Sequence, residues 1–474
     1  NIVTLNRENI RNNFEILKNK YEDLIVDRYF IIELTDEIKG DNILEKVENE
    51  FMSYNDILYY GIISKYVNNN YYPYLIFRKG KLNDKLNNYE QEFNPKLVIN
   101  NYKDEEYNGE KYDFNVLNDC PLLGGTKIRA IVPLISKIKE NRIIYAGPTI
   151  GFAQIALAQT LRILDKIGDT KKLVLYFNGS NLEPKHFNLT KNIVKIYENI
   201  EIHLFCKKEQ VEIYNKFFND NNIKNIWIKG EPKSLKKIKE YVKKTEINSY
   251  IVPFGLRFPG FVNILSKQII NSLKDNNYLN KLNTELDKFK NDSRIRIWLV
   301  AGSGAILNSL YKVFPNAEFV VLVVGSTIYS DVYDESRTTL YEYIFEKNKK
   351  YSDEEIRKFK EKENFKKLRN ILFLEDADVK DIEDIPYDSI KNYDAKIWPT
   401  FKKHYKEFQE MVPTDSKPLI GGVKTNYIWN VGCTKTFDKY IKNNDTDDNI
   451  YSKPIKNKLF KISKPLKVIE IASK

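Results

Sequence analysis

Three glycine-bearing segments carry the residues best suited to chemistry. Val300-Ala301-Gly302-Ser303-Gly304-Ala305-Ile306-Leu307 leads from an apolar stretch into a helical pattern. Glycines there let backbone amides approach an anion, and the free N–H groups of a helix start hold phosphate. As a dinucleotide fingerprint it reads G-x-G-x-x-L and lacks the third glycine, and no Walker A pattern occurs. A plain strand-to-helix turn would use the same residues. Ala146-Gly147-Pro148-Thr149-Ile150-Gly151 is a second such turn, suited to a carboxylate or phosphate with Thr149 donating. The third segment, Leu123-Gly124-Gly125-Thr126-Lys127-Ile128-Arg129, sets a lysine after two glycines and before a helical pattern. A helix N-terminus lowers an ammonium pKa and a bound phosphate raises it. A desolvated lysine with a depressed pKa can form a Schiff base, whereas an ordinary lysine sits on the surface.

Other chemistries find less support. Cys120, Cys206 and Cys433 lie far apart with no paired spacing. That speaks against a disulfide framework and a cysteine-built zinc site, and it fits a reducing compartment. His186, His203 and His404 are scattered too, so no metal is expected. No apolar run reaches the length of a membrane span, and the first residues show no signal-type apolar core, so a cytoplasmic location is expected. Lys+Arg 76 against Asp+Glu 65 gives a net charge of +11. Such a balance suits polyanions. The abundance of Lys, Asn, Ile and Tyr, all with AT-rich codons, explains it equally well without a partner, and acids interleave with the basic residues.

The elements that must position these segments follow from the apolar pattern. Ile10, Phe14, Leu17 and Tyr21 fall at helical spacing in an N-terminal extension, residues 1–105, that shows no chemistry. From about residue 110, β-branched runs alternate with helical patterns. Arg142–Ala146, Lys172–Phe177, Glu201–Phe205, Asn225–Lys229, Tyr250–Phe254, Ile295–Ala301 and Glu318–Val324 read as strands. Gly151–Lys166, with the stripe Ala153, Leu157, Leu161 and Leu164, and Leu235–Lys244 read as helices. Near-continuous apolar strands separated by helices mean parallel strands covered on both faces, an α/β chain with one or two open twisted sheets. In such sheets ligands bind at the carboxyl ends of strands, where the glycine turns stand. Residues 331–390 read as an insertion with a charged helix, SDEEIRKFKEKENFKKLRN, carrying a Glu354/Lys358 i,i+4 pair.

In this order and spacing the segments resemble the pyridoxal-phosphate (PLP) enzymes of fold type II, the tryptophan synthase β-like group. They are most similar to its aminocyclopropane-carboxylate deaminase and D-cysteine desulfhydrase branch. That branch carries L-G-G-N-K-x-R, whose lysine holds the cofactor; here it reads LGGTKIR. AGPTIGFAQIALAQ matches its substrate-carboxylate turn, IVPFGLRFPG its I-P-x-G-G and Pro-x-Gly segments, and VAGSGAIL its phosphate turn. Asn392-Tyr393-Asp394-Ala395-Lys396 stands for its late D-P-x-Y segment, and Tyr427–Cys433 for its final strand. The match spans residues 110–435.

The resemblance implies two parallel-sheet subdomains. Residues 106–140 and 255–435 would form the large cofactor-binding domain, 141–254 a small substrate-side domain and 436–474 a C-terminal segment. It implies PLP on Lys127 as a Schiff base. Gly302, Ser303, Gly304, Ala305 and Ile306 would lie at the phosphate, and Asp394 at the ring nitrogen. Tyr393 would stack or transfer protons, and Thr149, Gly147 and Gly151 would receive an amino-acid-like amine. A carboxylate facing the ring nitrogen keeps it protonated and strengthens the electron sink. The reaction would be of the lyase, deaminase or β-replacement (transferase) type in amino-acid metabolism, in a homodimer. The chain departs from the family where Ile150, Gly151 and Phe152 replace a Ser-Asn-His substrate triplet, and in its phosphate turn, which lacks the usual second glycine pair and threonine. The AT-biased composition, the basic balance and the missing triplet are compatible with a virus-encoded member acting, in an infected host cell, on a nucleic-acid-linked amine in DNA base hypermodification. A catalytically inactive scaffold of the same fold is the alternative. A nicotinamide enzyme is disfavoured, because Gly325-Ser326 stands where an acidic residue is needed.

Overall fold

The computed structural model describes residues 2–5, 29–34, 57–67, 70–79, 84–107, 109–147, 153–178, 199–220, 225–230, 235–246, 249–256, 259–274, 294–324, 365–368, 370–375, 384–390, 393–410, 422–433 and 436. β1 (Ile2–Leu5), β2 (Tyr29–Leu34), β3 (Ile57–Val67) and β4 (Asn70–Lys79) form a four-stranded sheet in the order β1-β2-β4-β3. The helical stripe expected at Ile10–Tyr21 lies outside the described residues, as does the Glu354/Lys358 pair.

β5 (Val98–Tyr107) and β6 (Glu110–Asn118) pair as an antiparallel hairpin. The chain then turns through Gly124 into α1 (Ile128–Ile135) and enters a run of parallel units. These are β7 (Arg142–Gly147), α2 (Ala153–Lys166), β8 (Lys172–Asn178), β9 (Ile200–Cys206), α3 (Lys208–Asp220), β10 (Ile226–Gly230), α4 (Leu235–Thr245) and β11 (Tyr250–Val252). Their strands make a wholly parallel five-stranded sheet, β10-β9-β8-β7-β11. β11 is shorter than its apolar run suggests. Pro253 has no N–H to give to a ladder, and Gly255 at φ 67 turns the chain into a short 3-10 helix.

α5 (Pro259–Lys274) leads back to β12 (Ile295–Ala301), α6 (Ala305–Val313), β13 (Glu318–Val323), β14 (Phe365–Leu368), β15 (Ile371–Glu375), α7 (Ile397–Glu410) and β16 (Thr425–Asn430). With the hairpin they form a seven-stranded sheet, β14-β15-β13-β12-β16-β6-β5, parallel from β15 to β6 with an antiparallel strand at each edge. Every residue of β12 and β13 is buried, which is why these strands are apolar without alternation. The fold is therefore α/β, with parallel sheets flanked by helices. The charged-helix reading fails at its C-terminal end. Phe365–Leu368 is a strand paired antiparallel with β15, so this stretch extends the large sheet. Charge spacing along one segment carries no information about a strand partner. Among the described residues, no helix is long and apolar enough to cross a membrane.

Candidate functional site

The turn that carries Lys127 is fixed from three sides. Gly124 has φ 105, in the left-handed region, and a Cβ there would lie 2.7 Å from Ala156 Cα of α2. The Thr126 amide donates to Val431 O at 3.0 Å, and Trp429 Nε1 donates to Thr126 Oγ1 at 3.0 Å, tying the turn to the end of β16. Two residues on, Arg129 is buried. It donates to Asp119 Oδ1 at 2.6 Å, to Asn94 Oδ1 at 2.6 Å and to Pro95 O at 2.9 Å, which anchors the start of α1. Lys127 itself is part-buried, and no hydrogen bond or ion pair is made by its Nζ among the described residues. Burial pushes its ammonium down to about 8. At pH 7 that raises the neutral fraction from about 0.03% to roughly 10%.

The Gly302 turn leaves β12 and opens α6. Gly304 has φ 81 and no side chain, so the N-terminus of α6 has no side-chain cap. The Gly302 amide donates to the Tyr393 hydroxyl at 3.1 Å, and a Cβ on Gly302 would stand 3.4 Å from that oxygen. Ser303 Oγ donates to Gly255 O at 2.9 Å, so its hydroxyl is engaged across to the end of the smaller sheet. Ala305 and Ile306 form the first turn of α6.

Tyr393 and Asp394 open the short 3-10 turn before α7, which brings them to the Gly302 turn. Asp394 is 1% exposed, and neither carboxylate oxygen has a hydrogen-bond partner. Burial pushes its pKa well above the usual carboxylate range. The nearby backbone amides of Gly432 and Val431, short of good hydrogen-bond geometry, pull the other way. The Val431-Gly432 segment thus touches the Lys127 turn through Thr126 and lies beside Asp394. Lys127, the Gly302 turn, Tyr393 and Asp394 all stand at or just beyond the carboxyl ends of β6, β12 and β16.

Gly147 ends β7, where an added Cβ would lie 2.6 Å from the Tyr145 ring. Thr149 and Gly151 lie outside the described residues. Sequence reasoning passed over Tyr145. Its ring stacks beside Phe254, and the Gly255 backbone lies near its hydroxyl while the Gly255 carbonyl accepts from Ser303 Oγ. It also passed over Asp119, the buried partner of Arg129. The expectation of dispersed cysteines does not hold in space. Cys120, Cys433 and Asp388 place two sulfurs and a carboxylate oxygen within 4.8 Å of one another, because β6 and β16 are neighbours in the sheet.

No protein-family model matches the chain, and no curated protein sequence matches it. Among solved structures, the chain is similar to holo diaminopropionate ammonia lyase from Escherichia coli, with a TM-score of 0.35 and 8% identity over 92% of this chain and 100% of that one. The apo form of that lyase gives a TM-score of 0.33 and 9% identity over 73% and 96%. A pyridoxal 5'-phosphate-dependent aspartate racemase gives a TM-score of 0.22 and 9% identity over 59% and 62%. At those scores neither activity transfers to this chain.

Proposed function

We propose that the chain is a PLP-dependent enzyme acting on an amino-acid-like amine, by elimination, β-replacement or deamination. The observation that carries this reading is a partnerless, part-buried Lys127, whose turn is bonded to Val431 through Thr126, together with a buried Asp394 that lies near the Gly432 and Val431 amides and whose two oxygens make no hydrogen bond. With the uncapped start of α6 they make three unspent polar groups. These suit the three polar ends of PLP, namely an aldehyde, a ring nitrogen and a phosphate. When bound, the cofactor supplies an electron sink for negative charge at the carbon bearing the amine.

The protein's own part is positional and protonic. Lys127 Nζ is the attachment point and then the proton carrier, and its lowered pKa makes the neutral amine accessible near pH 7. The turn Gly302, Ser303, Gly304, Ala305 and Ile306 would hold the phosphate at the positive end of α6, with the Gly302 amide already given to the Tyr393 hydroxyl. Asp394 would face the ring nitrogen of a bound cofactor and would help keep that nitrogen protonated. A buried carboxyl with no internal partner is relieved once it has a cationic one. Tyr393 lies between the phosphate turn and Asp394 and braces both. Gly147, Thr149 and Gly151 receive the substrate's carboxylate. The absent Ser-Asn-His triplet favours a substrate other than a small free amino acid, such as an amine carried on a nucleic acid in DNA base modification. A cytoplasmic homodimer is part of the same proposal.

The test is the absorption spectrum of the purified chain with added PLP, wild type against Lys127→Ala. A visible band at about 410–430 nm, abolished by the substitution, with borohydride fixing the cofactor on Lys127, is the expected result. No band at saturating PLP would sink the enzyme reading and leave the inactive scaffold.

A further inference from the structure

Cys120 and Cys433 follow the ends of β6 and β16, whose register pairs Asn118 with Asn430. Asn430 pins the third donor as well. Its Nδ2 donates to Asp388 O at 2.8 Å, and Ser389 Oγ donates to Asn430 Oδ1 at 3.1 Å. All three backbones are therefore held around one buried asparagine. Cys120 Sγ donates to the Asp388 backbone carbonyl at 3.3 Å and Cys433 Sγ to the Cys120 backbone carbonyl at 3.4 Å, and the two sulfurs and an Asp388 carboxylate oxygen lie within 4.8 Å of one another. We propose that Cys120, Cys433 and Asp388 form a binding site for a zinc-class divalent cation.

Two sulfurs with one carboxylate oxygen select a borderline or soft ion over magnesium or calcium, which take oxygen sets. Zinc–sulfur bonds of about 2.3 Å and zinc–oxygen bonds of about 2.1 Å set tetrahedral donors roughly 3.5–3.8 Å apart. The donors span at most 4.8 Å, about 1 Å more than these bond lengths require. Outer support is in place. Asn430 Nδ2 lies 3.5 Å from Cys120 Sγ, and Thr436 Oγ1 lies 3.3 Å from Cys433 Sγ, the kind of donors that orient thiolate ligands. Three protein ligands leave a fourth position for water. On binding, two metal–sulfur bonds form, two S–H bonds break and the protons pass to solvent, with no change of oxidation state. None of its donors is given a role toward PLP in the proposed function, although Cys433 directly follows the Val431-Gly432 segment beside Asp394.

The experiment titrates the full chain, reduced and stripped with chelator, with cobalt(II) and then zinc(II). One cobalt per chain should give a thiolate charge-transfer band in the near ultraviolet, bleached by one equivalent of zinc. Cys120→Ser and Cys433→Ser should each lose the band and weaken zinc binding by about 100-fold, and Asp388→Asn by about tenfold. Cys206→Ser, on the other sheet, should bind as wild type. Differential alkylation of the native wild-type chain guards against variants that fail to fold. Zinc should slow labelling at Cys120 and Cys433 and leave Cys206 unchanged. Absence of the band in wild type, its persistence in Cys433→Ser, or labelling indifferent to zinc would overturn the proposal.

Discussion

Lys127 and Asp394 are both strained by burial, and the strain has opposite pH dependence in the two. The folded pKa of Lys127, about 8, lies below the unfolded value of 10.5. Between those values the unfolded chain binds more protons, so stability rises with pH across that window, and below pH 8 the whole penalty is present. Lys127→Met should therefore stabilise the cofactor-free chain by about 2–3 kcal/mol at pH 7, discounted for partial exposure. Urea unfolding should show that gain shrinking from pH 8 upward and nearly gone by pH 10.5. A gain independent of pH would mean that packing, and not the ammonium, sets the difference. Asp394 has the reverse sign. Its folded pKa is raised above 3.8, so the native state binds more protons over that interval and stability falls as pH rises through it. Asp394→Asn should remove this fall, a result that checks the lysine slope in the same titration. Enzymes retain strain of this sort where a ligand is to relieve it.

At the scale of the element, the Lys127 turn depends on how closely α2 approaches it. A methyl on Gly124 would meet Ala156 Cα at 2.7 Å, and the backbone there has φ 105. Gly124→Ala should cost about 3 kcal/mol or more by urea unfolding and, on the proposed function, should lower PLP affinity because the turn cannot hold its place. Gly109→Ala is the control. Its φ is 77 with nothing within 4 Å of an added Cβ, so only the left-handed backbone cost of about 1–2 kcal/mol applies. Equal losses would show that α2 yields to the methyl. The sequence exposed this turn because a glycine pair before a lysine and a helical pattern is a local signal. It exposed β12 and β13 because strands buried on both faces are written as unbroken apolar runs. It hid what depends on partners distant along the chain. Cys120 meets Asp388 across 268 residues and Cys433 across 313, separations no spacing rule addresses. It also hid β14, whose lysines read as one face of a charged helix until β15 supplies the pairing.

At the scale of the whole molecule, the two larger sheets share one apolar core. A single cluster includes Ile143, Leu175 and Leu204 of the five-stranded sheet and Ile297, Leu299, Val321 and Phe373 of the seven-stranded one. Leu265 and Ile269 of α5 and Leu307 and Leu310 of α6 lie in the same cluster. Gly255 adds a polar link, receiving Ser303 Oγ on its carbonyl at 2.9 Å. Separating the sheets would expose this shared surface at a cost of roughly 25 cal/mol per Å² of apolar area, more than a few hydrogen bonds can recover. The sheets should therefore unfold together. Trp298, Trp398 and Trp429 are buried in or against the larger sheet, and Trp227 on β10 is the exposed tryptophan of the smaller one. In Trp227→Phe, fluorescence reports the larger sheet alone, while alkylation of buried Cys206 on β9, followed by mass spectrometry, reports the smaller. Coincident urea midpoints are expected. Midpoints separated by more than their error would mean that the five-stranded sheet opens on its own, so that the Gly255 link and the shared core act as a hinge between independently folding units.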